Sequence, residues 1–403
     1  GLANESSPIT GYRYVKDDNT VISIPSAENL SPTAIAVDAA GNVYTANYLA
    51  GFAGGFVAKA TPDGTLSYPG DIPSGFYANC AWWPDSSDGP VDVRNCRTQD
   101  GMSAGGQLTG IALDAAGNVY VVSSYFLCYF SINECVNRDG AVWKITPDGK
   151  ATVLGIITGN SPLGIAVDAA GNVYTANYDS NNVSKIIPNI ADDVLGISTI
   201  LGETGSGPSA IAVDADGNVY TANRNSNNVS KITPNGASSI LGTTGEGPRA
   251  IALDAVGNVY TANALASNMS KITPDGFSTT SETSLTIGGS GPRGIALDAA
   301  GNVYMPNFLS NNLTKITPDG TVTILTEIPS NQQAQPVGIA IDKAGNIYTA
   351  NISVGELGGV TCGEICGAQR PGGVTKTVDS SIVTYPATGD TSPITIRGLT
   401  PRV

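Results

Sequence analysis

Short apolar stretches alternate with turns rich in glycine, asparagine and proline along most of the chain, and one fourteen-residue unit recurs seven times. Its first copy runs from Ala34 to Asn47 and reads Ala-Ile-Ala-Val-Asp-Ala-Ala-Gly-Asn-Val-Tyr-Thr-Ala-Asn. The central aspartates of the copies are Asp38, Asp114, Asp168, Asp214, Asp254, Asp298 and Asp342. The last four intervals between them are 46, 40, 44 and 44 residues. This regularity indicates one structure built from similar units rather than a series of unrelated domains.

Each unit predicts four β-strands. The apolar run before the aspartate and the Val-Tyr-Thr-Ala-Asn run after it form a hairpin, because Gly and Asn in the turn tolerate positive φ. A second hairpin follows, closed by Pro-Asp-Gly, as in Leu313 to Leu325. A period of 40 to 46 residues with four strands is typical of one propeller blade. We therefore predict an all-β fold, a seven-bladed β-propeller of four-stranded antiparallel blades, over residues 31–386.

The two ends of the chain carry strands beyond this repeat. Residues 1–30 contain an extra hairpin between Tyr12 and Ile24, and residues 387–403 form a tail with one strand-like piece that begins at Pro393. These strands have three alternative roles: an extra layer on the seventh blade, a truncated eighth blade, or β-strand addition to another subunit. A head-to-tail exchange between subunits would give rings or filaments.

The repeat resembles the NHL-type repeat β-propellers. The resemblance rests on Pro-x-Gly-Ile-Ala-Val-Asp, Gly-Asn-Val-Tyr, Asn-Asn-Val and Ile-Thr-Pro-Asp-Gly, and covers roughly residues 30 to 386. It implies the propeller fold but no single function, because such propellers include enzymes, ligand binders and scaffolds. The chain departs from related repeats, which often carry Asp where it has Asn47, Asn177, Asn223, Asn263, Asn307 and Asn351.

The charge balance argues against nucleic acid and membrane partners. The net charge is −14, and lysine and arginine together number 20, so a basic groove for nucleic acid is not expected. No apolar run reaches the roughly 18 residues that a spanning helix needs, so we predict no membrane insertion. The chain begins at Gly1 without a methionine, which suggests that a leader has been removed.

Six cysteines lie in three local pairs, which are Cys80 with Cys96, Cys128 with Cys135, and Cys362 with Cys366. We predict disulfides within these pairs, because each pair shares one loop. A zinc site is the alternative, but the chain has no histidine and no Cys-x₂-Cys motif. Disulfides imply an oxidising compartment, so we predict a protein that is secreted, extracellular or at the cell surface.

Seven Asn-x-Ser/Thr sequons are candidate glycosylation sites. Four of them fall at the same point of successive repeats, and the alternative is that Asn-Asn-Val-Ser is only the turn sequence of the repeat. The candidates are Asn4, Asn29, Asn182, Asn228, Asn268, Asn312 and Asn351.

Long insertions are expected on one face of the ring, where the loops between the second and third strands and between successive blades lie. Their aromatic residues are candidate binding residues for a glycan or a surface protein, with the alternative that the loops only cap the channel. These residues are Trp82, Trp83, Tyr125, Phe126, Tyr129 and Phe130. No cofactor is expected, although calcium is conceivable at Asp85, Asp88 and Asp92.

Catalytic side chains are scarce. Without histidine there is no Ser-His-Asp triad and no imidazole base, and the histidine-dependent mechanism of virginiamycin-inactivating propeller lyases cannot be transferred to this chain. The seven repeated aspartates each precede a turn, and we interpret them as turn formers that accept hydrogen bonds from backbone N–H groups. The tyrosine of each unit is expected to pack between blades.

These observations predict a secreted, non-enzymatic structural or adhesive propeller, the repeating subunit of an extracellular filament or other homo-assembly formed by terminal strand exchange. The alternative is a monomeric glycan- or protein-binding propeller that uses the cysteine-containing loops. An enzyme that depends on carboxylates or calcium is the third, less supported hypothesis.

Overall fold

The structure is a computed structural model of the 403-residue chain. It describes residues 11–15, 21–25, 30–49, 55–63, 65–67, 69, 102–129, 134–189, 195–280, 288–327, 334–354, 369–378 and 381–383. Within these residues the strands pair into seven four-stranded antiparallel sheets and one two-stranded sheet. The described residues contain no helix with the length and hydropathy needed to cross a bilayer.

The strands follow one another in simple sequential order within each sheet. The two-stranded sheet is β1 (Gly11–Val15) and β2 (Val21–Pro25). The next two sheets are β3 (Leu30–Val37), β4 (Val43–Leu49), β5 (Gly55–Ala60), β6 (Leu66–Ser67), and β7 (Met102–Leu113), β8 (Val119–Tyr129), β9 (Glu134–Ile145), β10 (Ala151–Ile156).

Five further sheets complete the series. They are β11 (Pro162–Val167), β12 (Val173–Asn177), β13 (Asn182–Ile187), β14 (Ile197–Glu203); β15 (Pro208–Val213), β16 (Val219–Asn223), β17 (Asn228–Ile232), β18 (Ser238–Thr243); β19 (Pro248–Leu253), β20 (Val259–Asn263), β21 (Asn268–Ile272), β22 (Ser278–Thr280); β23 (Ala296–Leu297), β24 (Val303–Asn307), β25 (Asn312–Ile316), β26 (Val322–Glu327); and β27 (Ala334–Ile341), β28 (Ile347–Val354), β29 (Gln369–Val378), β30 (Ser381–Val383).

The first strands of the sheets pack against one another from sheet to sheet, as β11 does with β7 and β15, and β27 does with β3. The fourth strand of each sheet therefore lies on the outside. This is a β-propeller of four-stranded antiparallel blades, which confirms the predicted all-β propeller architecture.

The hydrophobic core lies between neighbouring sheets. Each second strand carries the Val-Tyr-Thr-Ala-Asn sequence or a close variant, and in β12, β16 and β20 all five residues are buried. One core cluster joins Tyr44 and Val57 of one sheet to Leu108 and Val121 of the next. Because the four-stranded sheets pack face to face on their neighbours, the second strands are apolar without the simple alternation of a half-exposed sheet.

A β-bulge at the start of the first strand ties adjacent sheets together. The register shifts between Pro32 and Ala34, and the Thr33 hydroxyl in between donates to the Leu108 carbonyl of the next sheet at 2.7 Å. Thr109 and Ser209 make the same bond to Pro162 and Pro248. A bulge changes the direction of one side chain relative to its neighbours in the strand. Here it directs a hydroxyl group toward the neighbouring sheet.

Candidate functional site

Each turn between the first and second strands contains a closed network of one aspartate, one asparagine and one tyrosine. In the β15–β18 sheet, Asp214 Oδ1 accepts the backbone N–H groups of Asp216 and Asn218 at 3.0 and 2.8 Å. Asp214 Oδ2 accepts the Asn218 side-chain amide at 2.8 Å and the Tyr220 hydroxyl at 3.0 Å. Gly217, at φ 80°, closes the turn. The prediction that the repeated aspartates form turns is confirmed.

The tyrosine of this network does more than pack. Its hydroxyl bonds to the aspartate in all seven units, at 2.9 to 3.2 Å. In five sheets a lysine ammonium lies over its ring, as Lys231 does over Tyr220 at 5.5 Å from the centroid. The constant spacing of Asp, Asn four residues later and Tyr six residues later is the sequence signal from which this network could have been predicted.

The network shifts the pKa values of its members in opposite directions. Burial alone would raise the pKa of Asp38, but the hydrogen bonds from Asn42, Ala40 and Tyr44 outweigh burial and hold it below the usual value. The pKa values of Asp114, Asp168, Asp214, Asp254 and Asp298 are lowered in the same way. Burial and the neighbouring carboxylate raise the pKa of Tyr44 to about 12.

These shifts predict a free energy of unfolding that is nearly constant between about pH 5 and pH 9. A lowered aspartate pKa stabilises the folded state above the unfolded pKa of about 3.9, and this contribution is lost as pH falls through the folded pKa. A raised tyrosine pKa stabilises the folded state below about pH 10, and this contribution is lost as pH rises towards the folded value. The chain has no histidine to titrate in between. Chemical denaturation at half-unit pH steps tests this, and a step between pH 5.5 and 7.5 would contradict it.

A second network lies at the opposite end of the second strand, around a fully buried asparagine. The Nδ2 of Asn223 donates to Asn228 Oδ1 at 2.7 Å and to Ser230 Oγ at 2.8 Å, and its Oδ1 accepts the Thr221 hydroxyl at 2.9 Å. Ser230 Oγ also accepts the Gly205 N–H, which belongs to the connection from the preceding sheet. Asn177 and Asn263 make the same three side-chain bonds. We call this set the asparagine belt.

The belt is not repeated in every unit, and the β23–β26 sheet departs from it at one position. Met305 stands where Thr221 stands in the β15–β18 sheet, and the buried Asn307 Oδ1 has no hydrogen-bond partner in the described structure. Asn307 keeps its two donor bonds, to Asn312 Oδ1 and to the Thr314 hydroxyl. The threonine hydroxyl at this position of the belt therefore provides the hydrogen bond that the asparagine Oδ1 needs, and the strand forms without it.

Loops between the second and third strands bond to the connection that enters the next sheet. Asn181 and Asn227, both at φ 53°, accept the backbone N–H groups of Gly207 and Gly247 on Oδ1 at 2.8 and 2.9 Å. The Ser267 hydroxyl accepts the Gly291 N–H at 3.1 Å. Asparagine tolerates the left-handed conformation that these loops require. We call these contacts the inter-sheet latches.

Most of the predicted glycosylation sites are asparagines of the buried hydrogen-bond network in the asparagine belt or stand at equivalent positions. Asn182, Asn228, Asn268 and Asn312 each accept the amide of an asparagine on the second strand. Asn351 stands at the position of that asparagine in β28. Asn312 and Asn351 are 5% and 2% exposed, so a glycan on either would displace its packed neighbours. This arrangement favours the alternative interpretation, in which Asn-Asn-Val-Ser is the turn sequence of the repeat. Asn4 and Asn29 lie outside the described residues.

Most other predicted site residues also lie outside the described residues. These are Cys80, Cys96, Cys362, Cys366, Trp82, Trp83, Phe130, Asp85, Asp88 and Asp92, together with the side chains of Tyr125, Phe126 and Tyr129. The backbone places Cys128 directly opposite Cys135 in the β8–β9 pair. In the described part of the chain, no three His, Cys, Asp or Glu side chains lie close enough to hold a metal ion.

Comparison with known proteins identifies relatives of the propeller. A family model described as the virginiamycin B lyase family matches residues 197–368, which is fewer than half of the 403 residues. A streptogramin B lyase structure has a TM-score of 0.57 at 15% identity, over 85% of this chain and 96% of that one. A second similar structure is a catalytically inactive virginiamycin B lyase from Staphylococcus aureus with quinupristin, in which a histidine is replaced with alanine. Its TM-score is 0.56 at 16% identity, over 81% of this chain and 93% of that one.

Another similar structure is YCF48 bound to D1 peptide, with a TM-score of 0.51 at 9% identity, over 80% of this chain and 91% of that one. No curated protein matches the sequence. Structural likeness at these identities shows the fold alone. It supports a β-propeller repeat family, although the matching model is not that of the NHL repeats.

The prediction that the chain is not an enzyme is contradicted by these findings. The matching family model and the two lyase structures belong to enzymes. The prediction was based on the absence of histidine, and that absence excludes imidazole chemistry only. Carboxylate, hydroxyl and amide groups remain in the chain as proton acceptors or donors.

Proposed function

We propose that this chain is a secreted β-propeller with a structural or adhesive role at the cell surface, as the subunit of an extracellular assembly joined by terminal strands. One observation carries the proposal: β1 and β2 pair with each other and with no other described strand. An isolated two-stranded hairpin is marginally stable in water. It therefore needs a partner surface, and β-strand addition to a second copy provides one.

The register of the hairpin favours such a partner. Tyr12 lies opposite Ile24, and Tyr14 lies opposite Ile22. Because alternate residues of a strand share a face, these four residues form one apolar face of the hairpin, while Arg13 and Ser23 belong to the other face. An apolar hairpin face outside the ring is typical of an interaction surface.

We further propose that residues 31–386 form one closed ring of seven NHL-type blades. Contact between the last and first sheets supports closure, because a Cβ placed on Gly338 would lie 3.1 Å from Ile35 Cγ2. In this proposal residues 1–30 and 387–403 stay outside the ring. The Ile-Thr-Pro-Asp-Gly turn of the NHL resemblance supports the repeat type, with Gly276 and Gly320 at φ 88° and 87°.

The cysteine register supports secretion. Residues directly opposite in an antiparallel pair have Cα atoms about 4.5 to 5.5 Å apart, which is within the range that a disulfide bridges. Cys128 and Cys135 occupy such positions. Disulfides persist in oxidising compartments, so we propose an extracellular location.

The test is the assembly state of the purified, unreduced chain, measured by light scattering and electron microscopy. We expect particles larger than the single-chain mass of 41.0 kDa. Replacing Tyr14 and Ile22 together with serine should reduce them to single chains, whereas Arg13→Ser, on the other face, should leave them intact. Single rings from the unaltered chain would overturn the proposal. They would favour the alternative in which the loops with Trp82 and Trp83 bind a glycan or surface protein.

A second candidate function is lyase activity, which the family match over residues 197–368 favours. The histidine that is replaced in the inactive virginiamycin B lyase can have no counterpart here, because the chain has no histidine. The base of a lyase reaction would therefore be another group, such as a carboxylate, a hydroxyl or a lysine amine. Incubation of the full chain with quinupristin, followed by mass spectrometry with a virginiamycin B lyase as positive control, tests this. Turnover no faster than the buffer blank would exclude that substrate.

A further inference from the structure

The β11–β14 sheet has exposed apolar residues at the end of its third strand. In five other sheets the third strand is followed directly by a threonine whose hydroxyl bonds within the turn, and these threonines are Thr61, Thr146, Thr233, Thr273 and Thr317. The β27–β30 sheet has Val378 at this position. In the β11–β14 sheet the equivalent residue is Ile187, which is 47% exposed. A polar turn residue has been replaced with an apolar one that gains little burial from the fold.

Other exposed apolar residues lie on the same strand pair and on the neighbouring fourth strand. Ile197 lies directly opposite it in the β13–β14 pair and is 67% exposed, and Leu195 is 51% exposed. Ile156, from the fourth strand of the preceding sheet, is also exposed, and its strand is tied to this turn by a 2.7 Å bond from the Gly196 N–H to the Leu154 carbonyl. We call Ile156, Ile187, Leu195 and Ile197 the rim patch.

The rim patch adjoins an open strand edge. β14 is the fourth strand of its sheet and pairs, among the described strands, with β13 alone. Its sequence from Ile197 to Glu203 has neither lysine nor proline, the residues that commonly protect an edge from pairing. With seven residues it is the longest fourth strand of the described sheets. A long edge with an apolar border is a pairing site for another strand.

We propose that the β1–β2 hairpin of a second copy of this chain docks on the rim patch along the outer edge of β14. This rests on the proposed function and identifies the surface that receives the exchanged hairpin. The apolar face formed by Tyr12, Tyr14, Ile22 and Ile24 covers the patch. The hairpin of the same copy is worse placed. Four residues join the hairpin to Leu30, and they span about 17 Å at most. The distance from the first to the fourth strand of one sheet is already about 14 Å. The patch lies on a different sheet from Leu30, so the hairpin of the same copy would have to reach farther than that.

The repeat itself supplies a variant that should preserve the fold. Ile187→Thr combined with Ile197→Ala gives this sheet the residues that the β15–β18 sheet carries at Thr233 and Ala237. The matched control is Phe277→Ala, which removes an equally exposed side chain (66%) from the position equivalent to Ile197 in another sheet. We expect the double variant to weaken self-association of the full chain about tenfold or more, with unchanged circular dichroism, and the control to assemble normally.

The outcomes separate this inference from the proposed function. If the hairpin variants of Tyr14 and Ile22 dissociate the assembly but the rim-patch variant does not, the hairpin docks elsewhere and only the present inference fails. If neither variant changes the assembly, or the unaltered chain is a single ring, both fail. A photo-crosslinking residue at position 197 gives an independent measurement. We expect crosslinks to residues 11–25 of another chain, and crosslinks within one chain or to other segments would overturn the inference.

Discussion

Replacing Asp214 with alanine is expected to lower the free energy of unfolding by about 4 kcal/mol. The substitution removes the acceptor of four hydrogen bonds at once, from two backbone N–H groups, the Asn218 amide and the Tyr220 hydroxyl. A hydrogen bond to a charged group contributes about 1.5 to 3 kcal/mol, and bonds that share one acceptor add less than fully. Tyr220 is 4% exposed, so water cannot readily replace its lost partner. Chemical denaturation at pH 7 measures the change.

Two further variants identify the source of this loss. Tyr220→Phe removes one of the four bonds and should cost about 1 kcal/mol. Asp214→Asn keeps one acceptor oxygen but brings an amide against the Asn218 amide, so its cost should lie between the other two. An Asp214→Ala cost below that of Tyr220→Phe would mean that the carboxylate does not organise the turn.

Replacing Asn223 with aspartate is expected to cost about 3 kcal/mol at pH 7, although the NHL-type repeats that the sequence resembles often carry aspartate here. In this chain the lost amide faces Asn228 Oδ1 at 2.7 Å, so the new carboxylate meets an acceptor at a fully buried position. Burial should raise the pKa of the new carboxyl above its unfolded value. The cost relative to the unaltered chain should therefore be small below about pH 4 and grow as pH rises.

This pH dependence separates two physical situations. A cost that grows between about pH 4 and pH 7 means a buried, poorly paired carboxylate, whereas a cost independent of pH means that the Asn228 amide has turned to donate to it. Asn225→Asp is the control, because Asn225 is exposed at the start of the same loop. That substitution should change stability by less than about 0.5 kcal/mol.

The sequence predicts the propeller because its repeat encodes local structure. The turn after Asp38 needs a short acceptor at its start and a glycine that adopts φ 80° at Gly41, and both residue types recur at fixed spacing. The hairpins therefore follow from nearby residues alone. Which surface the β1–β2 hairpin contacts depends on long-range packing, and no spacing in the sequence records it.

The asparagine belt shows why the sequence motif alone could not identify glycosylation sites. Asn228 and Asn312 fit the glycosylation consensus, but the same residues accept the amides of Asn223 and Asn307 in the folded protein. A sequon and a structural hydrogen-bond acceptor look identical in one sequence. The difference is burial of the asparagine side chain, which is set when the second and third strands of a sheet pair with one another.

The inter-sheet latches make three successive boundaries between units chemically alike. Asn181 holds Gly207, Asn227 holds Gly247 and Ser267 holds Gly291, so the acceptor that one unit offers suits the donor of any following unit. The number of units is then limited by the angle through which the ring must close and not by recognition at the boundaries. Duplication or loss of one of these units in the gene would leave the latched boundaries complete, which makes this part of the architecture tolerant of changes in repeat number during evolution.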